Sequence, residues 1–329
     1  MPSLDHDLDE TALPFAPVPQ ALTHKLNAAE VLLTDWRRTA PDTFAVRARW
    51  PRAHGFYLNR HGRHDPLLLA ESVRQALPLL SHAAYAVPMG HQLLWQDFRW
   101  ELDPVALYAE GRAVDVELSV VCDDVRYRRG RAAAMVLRAE AYREGTWLGR
   151  ARTQFTIQDR AIYERLRGAY ADTARAVARA RPAPPPVPPQ LTGRYWGEDV
   201  VLSAVEAVEA VPVEALPVGA VHPAGDGVDR WGLRVDTSHP VLFDHPVDHV
   251  PGMLLMEAAR QAAQAAAHPR ATVVVGMETS FVRYVELDAP CRIETRPLPD
   301  GTAGRRRVLV TALQHGEEVF SDVVTLADA

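Results

Sequence analysis

Apolar residues recur at helical spacing in two well-separated stretches, and each stretch is followed by segments in which apolar and polar residues alternate. The first stretch is DPLLLAESVRQA (residues 65–76) and the second is VPGMLLMEAARQA (residues 250–262). Proline tolerates the first turn of a helix and aspartate can cap one, so Pro66 after Asp65, and Pro251 with Gly252, predict helix starts. The spacing carries these helices to about Pro78 and about His268. Period-two alternation predicts strands over residues 114–121, 132–143 and 147–157, the last two joined across the hairpin signature Glu144-Gly145. In the second half it predicts strands over 271–276, 291–296, 307–313 and 319–326, with turns at Pro299-Asp300-Gly301 and His315-Gly316.

The two halves repeat each other. Glu71, Arg74, Gln75 and Ala76 match Glu257, Arg260, Gln261 and Ala262; His54 precedes Glu71 by 17 residues and His239 precedes Glu257 by 18. Downstream, FRWELDP ending at Pro104 answers FVRYVELDAP ending at Pro290. A shared order of this kind points to a duplicated domain. One long helix wrapped by an antiparallel sheet, twice over, is the hot-dog pattern, so the expected fold class is α+β: a tandem double hot-dog forming an intrachain pseudo-dimer. The expected divisions are a flexible tail at 1–19, a first domain at 20–160, a helix and proline-rich linker at 161–190, and a second domain at 191–329. Within the connection, residues 161–180 read as one surface helix. RPAPPPVPPQ (181–190) reads as an extended spacer that forms neither helix nor ladder.

Composition narrows the function. A chain of 329 residues can bury two sizeable cores, and its net charge of −6 argues against general nucleic-acid binding. The basic runs at 126–131 and 305–307 are expected to be solvated strand ends and loops. No apolar run is long enough for a membrane-spanning helix, and the acidic, proline-punctuated start does not resemble a secretory signal. Cys122 and Cys291 lie far apart with no CxxC partner, which indicates neither zinc nor a disulfide framework and suits the cytoplasm.

Candidate chemistry gathers on the two helices. Glu71, Arg74 and Gln75 share one helix face, as do Glu257, Arg260 and Gln261. A surface intrahelical ion pair is the plain reading of either set. The flanking runs Leu67-Leu68-Leu69 and Met253-Leu254-Leu255-Met256 imply instead a buried helix, where a carboxylate needs a partner or a task. A desolvated glutamate with a raised pKa would serve as general base or acid. The loop SHPVLFDHPVDHVPG (238–252) concentrates His239, Asp244, His245, Asp248 and His249. Pro246 and Pro251 argue against a helix presenting His245 and His249 together and no HExxH occurs, so no metal is expected. These histidines either make turn hydrogen bonds or supply one acid/base group beside Glu257. The absence of a GxSxG elbow, a Gly-rich phosphate loop and a Cys/His signature disfavours covalent catalysis.

HPVDHVPGMLLMEAARQA resembles the active-site helix of hot-dog hydroxyacyl-carrier-protein dehydratases, in which a loop histidine pairs with the helix glutamate. That likeness implies Glu257 as the carboxylate and leaves His239 and His245 as alternatives for the histidine. A fuller resemblance, through HKLNAAEVLLTDWRR (24–38), ARWPRAHGFY, DPLLLAESVRQA, GHQLLWQDFRWELDP and FDHPVDHVPGMLLMEAARQA, is to the A-factor (γ-butyrolactone autoregulator) synthase family, AfsA-like, of streptomycetes. The resemblance implies an acyltransferase that moves a β-ketoacyl group from a thioester of acyl carrier protein or coenzyme A to the hydroxyl of dihydroxyacetone phosphate. This would be the first step toward γ-butyrolactone, furan or butenolide signals. It implies no cofactor beyond the thioester substrate, while the net charge and the lack of a long apolar run leave no nucleic-acid or membrane partner expected. In this reading Glu257 takes the hydroxyl proton and a helix amide near Gly252 polarises the thioester carbonyl. Arg260 or Arg74 binds phosphate or positions the glutamate. Gln261, His54 and Gln75 would contact substrate, with Glu71 and Arg74 forming a second or supporting site. An apolar groove between helix and sheet would take the acyl chain. The chain would be a monomer, as a pseudo-dimer, or a homodimer. The alternatives are a hot-dog dehydratase or thioesterase, and an acyl- or lactone-binding regulator without catalysis.

Overall fold

The computed structural model describes residues 14–205 and 228–329. Two long helices organise it. Helix α1 (Leu67–Ala83) buries Leu67, Leu68, Leu69, Val73, Ala76, Leu77 and Leu80, at i, i+3 and i+4 spacings that put most of its circumference against a sheet. Asp65 starts it, its Oδ1 accepting the Leu67 N–H at 2.9 Å. The helix passes through Pro78 and ends at Ala83 rather than stopping near Pro78 as the sequence suggests. Proline at that position forfeits one backbone bond. The apolar side chains on either side, Leu77, Leu79 and Leu80, are fully buried and hold the last turn in place. Each contributes on the order of 1.5–3 kcal/mol.

Three short helices connect the halves: α2 (Arg160–Arg167), α3 (Thr173–Arg179) and α4 (Pro189–Thr192). The single surface helix expected over 161–180 is therefore two, broken at Gly168 (φ 56°) and restarted by Asp172, whose side chain accepts the Arg175 N–H. The connection is not a free spacer. Tyr163 donates its hydroxyl to Asp248 at 2.7 and 2.8 Å, and Arg167 pairs with Glu286 at 2.5 Å. The proline-rich stretch also departs from expectation: Pro186 bridges to Ser203, Val187 N–H donates to Leu202 O at 3.1 Å, and Pro189 opens α4. Proline removes only its own donors, and Val187 keeps one for the sheet. The second long helix, α5 (Gly252–Ala267), begins at the Pro251-Gly252 signal and packs a small-residue face of Ala258, Ala259, Ala262 and Ala263.

The strands are β1 (Ala16–Pro17), β2 (Leu33–Ala40), β3 (Thr43–Trp50), β4 (Gln92–Leu102), β5 (Val114–Arg128), β6 (Arg131–Arg143) and β7 (Thr146–Gln158) in the first half. The second half has β8 (Leu202–Ser203), β9 (Asp229–Leu233), β10 (Thr272–Phe281), β11 (Cys291–Leu298), β12 (Arg306–Gln314) and β13 (Glu317–Asp328). Among the described residues they form one antiparallel sheet, ordered β1-β2-β3-β5-β6-β7-β4-β10-β13-β12-β11-β9-β8. Read outward from the β4–β10 pair, the order 4-7-6-5-3-2 mirrors 10-13-12-11-9-8, so the duplicated halves join edge to edge and bury an edge that each would otherwise expose. The tail expected at 1–19 is outside the described residues up to 13, and beyond that Ala16 and Pro17 pair with β2. Arg129-Gly130, Glu144-Gly145 and His315-Gly316 all take positive φ in two-residue hairpins, and the first accounts for the basic run at 126–131. The downstream sequence match is not a structural one: Glu101 and Leu102 close β4, whereas Glu286 and Leu287 follow the end of β10.

Candidate functional site

Each long helix buries a glutamate ringed by donors. On α1, Glu71 is 2 % exposed. It accepts from Arg74 Nε at 3.0 Å to both oxygens and from Gln75 Nε2 at 2.8 Å, and it pairs with Lys25 Nζ at 3.1 Å. Gln75 is fixed in turn by Leu32 N–H and Glu30 O. His54 Nε2 stands 3.3 Å from the Glu30 carboxylate, while its Nδ1 accepts the Phe56 and Tyr57 N–H groups.

On α5 the same construction recurs with stronger charges. Glu257, fully buried, accepts from Arg260 Nε (2.8 Å) and Nη2 (2.5 Å), from Arg194 Nε (2.8 Å), and from Gln261 Nε2. Gln261 bonds Val201 N–H and Asp199 O. His239 Nε2 lies 3.4 Å from Asp199, and its Nδ1 accepts the Val241 and Leu242 N–H groups. His54 and His239 thus hold the same structural office, with the proton on Nε2 because Nδ1 is an acceptor.

The expected raised pKa is absent. Burial pushes Glu257 up, but Arg194 and Arg260 outweigh it and hold the carboxyl at about 2. Glu71 is likewise held below its ordinary value, burial being outweighed by Arg74, Lys25 and Gln75. A permanently ionised, enclosed carboxylate orients arginines; it does not exchange protons near neutral pH.

The halves exchange loops. Asp244, on the second-half loop, accepts Leu26 N–H at 2.6 Å and Asn27 N–H at 2.9 Å beside the Glu71 group. His245 follows it there, and burial first, then Arg74 and Lys25, hold its pKa below the ordinary value against the pull of Asp244. His245 therefore accompanies Glu71, not Glu257 as the sequence suggested, because the loop crosses to the other half. Reciprocally, the first-half loop reaches the α5 group: Arg194 lies 3.8 Å over the Phe56 ring and donates Nη1 to Phe56 O at 2.5 Å, and Phe56 meets the His239 ring edge-on at 5.1 Å. Asp248 and His249, 2.6 Å apart, serve the docking of α2 instead.

A cleft opens where the α5 group faces the start of α1. Arg60, His61, His64 and Asp65 line one wall and Arg260 and Gln264 the other. His64 is 1 % exposed, its two ring nitrogens have no hydrogen-bond partner, and burial followed by the Arg143 charge lowers it to about 4. It is a neutral imidazole at neutral pH. Arg60 stacks at 5.0 Å on Tyr195 and leaves Nε and Nη1 without partners. Gly193, at φ +72°, leaves room for it: a Cβ there would stand 2.8 Å from Arg60 Nη1. Asp322, the carboxyl that burial raises to about 7, is enclosed beside Thr279 (2.5 Å) between β10 and β13 and does not line this cleft.

At the other end of α5 the helix start is covered. Trp95 and Phe281 cover Gly252, so that a Cβ there would fall 2.7 Å from the indole. Residue reasoning missed Lys25, Arg194, Glu30, Asp199, Arg60 and His64. The first four were readable, since Lys25 and Glu30 have the same spacing as Arg194 and Asp199.

The sequence profile of the A-factor biosynthesis hotdog domain matches residues 6–159 and again 176–327. A Streptomyces virginiae protein named 2-oxo-3-(phosphooxy)propyl 3-oxoalkanoate synthase is 43 % identical over 307 residues, covering 93 % of this chain and 96 % of its own. A protein of the same name from Streptomyces coelicolor is 38 % identical over 320 residues, covering 96 % and 92 %. Among solved structures, a Lactobacillus plantarum protein described as an oleoyl thioesterase aligns with a TM-score of 0.50 at 12 % identity, over 87 % of this chain and 95 % of that one. At that identity the likeness is one of fold, a double hot-dog.

Proposed function

Because the chain belongs to the A-factor biosynthesis hotdog domain family, we propose that it transfers a 3-oxoacyl group from a thioester to the hydroxyl of dihydroxyacetone phosphate. This is the first step toward γ-butyrolactone-type signals. What carries the reading is the near end-to-end likeness to relatives named for the product of that reaction. The step balances without a cofactor: the carbonyl carbon gains the C–O bond, loses the C–S bond, and the hydroxyl proton ends on the released thiol. Coenzyme A and acyl carrier protein are equivalent donors for that balance.

The residue roles shift from those the sequence suggests. Glu257 and Glu71 are positioning residues, each locking a set of cations and a glutamine. His64, neutral and unengaged in the cleft, takes the hydroxyl proton in place of Glu257. Arg260, fixed by Glu257 and Gln264, contributes a rigid positive wall. To reach the start of α5, an acyl chain must displace Trp95 and Phe281.

The test is incubation of the purified chain with a medium-chain 3-oxoacyl thioester, as coenzyme A and as acyl-carrier-protein adduct, with and without dihydroxyacetone phosphate. Mass spectrometry follows the phosphorylated ester and a thiol assay follows release. The expected result is ester formed only with dihydroxyacetone phosphate, matched by thiol. Thiol release independent of the acceptor would support a thioesterase instead, dehydrated product a dehydratase, and retained acyl ligand without turnover a binding protein.

A further inference from the structure

We propose that Arg60, supplied by the first half to the α5 side of the cleft, is the anchor for the phosphate of the acceptor substrate; this rests on the transferase reading above. Buried guanidinium N–H groups without an acceptor are costly, and Arg60 leaves Nε and Nη1 in that state. Among the described residues it has no carboxylate partner: Glu257 is saturated by Arg194, Arg260 and Gln261, and Asp65, the carboxylate of the cleft wall, already accepts Leu67 N–H through Oδ1. Arg60 also stands close to two like charges. Burial first, then Arg260 and Arg194, disfavour its charged form, with Tyr195 opposing them through a hydrogen bond. An anion between the walls would relieve both conditions at once.

The ligand chemistry follows from the donor geometry. A guanidinium is a fixed charge that presents donors on several edges, and the unpartnered Nε and Nη1 of Arg60 lie on different edges, each able to donate to an oxygen of a phosphate, which suits arginine better than lysine. Tyr195 stacking fixes the guanidinium plane, and Gly193 provides the space. His61 on the same wall is near the charge as well, and burial followed by Arg60 lowers its pKa. A three-carbon acceptor held by its phosphate at Arg60 would present its hydroxyl toward His64.

The experiment is steady-state kinetics of Arg60→Gln with each substrate varied in turn, beside calorimetric titration of wild type and variant with inorganic phosphate. The expected result is a KM for dihydroxyacetone phosphate raised at least about tenfold, a KM for the thioester unchanged, and phosphate binding weakened by a comparable factor. Should Arg60→Gln melt early, Arg60→Lys keeps a point charge while losing the guanidinium's separate donors, and is expected to give a smaller rise in the same KM. An unchanged KM for dihydroxyacetone phosphate in the folded variant overturns the assignment while leaving the transferase intact. If wild type makes no ester, the transferase reading fails, and the phosphate titration alone decides Arg60: equal binding by wild type and variant overturns it.

Discussion

The Glu71 and Glu257 groups are built to one plan and charged differently. Glu71 is held by Lys25 and by Arg74, which remains 18 % exposed, whereas Glu257 is held by two arginines that are both enclosed. The left-handed residue that precedes each cation differs as well. His24 places its ring against His82 at 2.8 Å, while Gly193 leaves the gap into which Arg60 reaches. Duplication therefore kept the scaffold of both groups, the glutamine latch and the histidine-fixed loop, and changed what faces the cleft. On the α1 side histidines gather; on the α5 side a guanidinium is left with donors to spare.

Neutralising each glutamate should separate the two groups most strongly. Glu257→Gln leaves Arg194 and Arg260 buried without a counter-charge and is expected to cost about 3–5 kcal/mol. Glu71→Gln should cost roughly half of that, because Arg74 reaches water. Urea denaturation midpoints of the pair check this; equal losses would erase the difference. Acid titration is the next sharpest probe. The Glu257 carboxyl falls from an ordinary 4.5 to about 2, so the stability it contributes is present above 4.5 and is lost as pH falls from 4.5 toward 2, about 3 kcal/mol at most. His24 and His64 are both lowered from 6.5 to about 4, so the fold prefers them neutral; their contribution is present above 6.5 and lost as pH falls toward 4. Stability against pH should therefore drop in two stages, and Glu257→Gln should shrink the lower stage, to which Glu71 also contributes, and leave the upper one unchanged. The smallest effect tests the loop exchange: Asp244→Ala removes the acceptor of Leu26 and Asn27 N–H and should cost about 1 kcal/mol, loosening the α1 side and leaving the α5 side unchanged by hydrogen exchange.

Much of this is legible in the sequence. Hydrophobic spacing gave both long helices, the Glu-Gly and His-Gly pairs gave two hairpins, and the matched Glu-x-x-Arg-Gln gave the duplication, because these depend on neighbours within a few residues. Lys25 and Arg194 escaped notice because equivalent cations of different type hide a repeat that spacing alone preserves. The break at Gly168 carried a readable cap, Asp172, masked by the good helix formers around it. The loop exchange could not be read locally at all. That His245 joins Glu71, and Arg60 the neighbourhood of Arg260, depends on how two halves meet across β4 and β10. The sign of the glutamate pKa was missed for the same reason: Arg194 lies 63 positions from Glu257 in the chain.

The claim that the α5-side cleft is the working one is tested most directly by the turnover of His64→Gln beside that of His245→Gln, with both substrates saturating and both proteins shown to be folded. Loss of the proton acceptor should lower ester formation by about 10²–10⁴-fold in His64→Gln, with a far smaller loss in His245→Gln. The reverse order would place the chemistry at the Glu71 group and contradict the account.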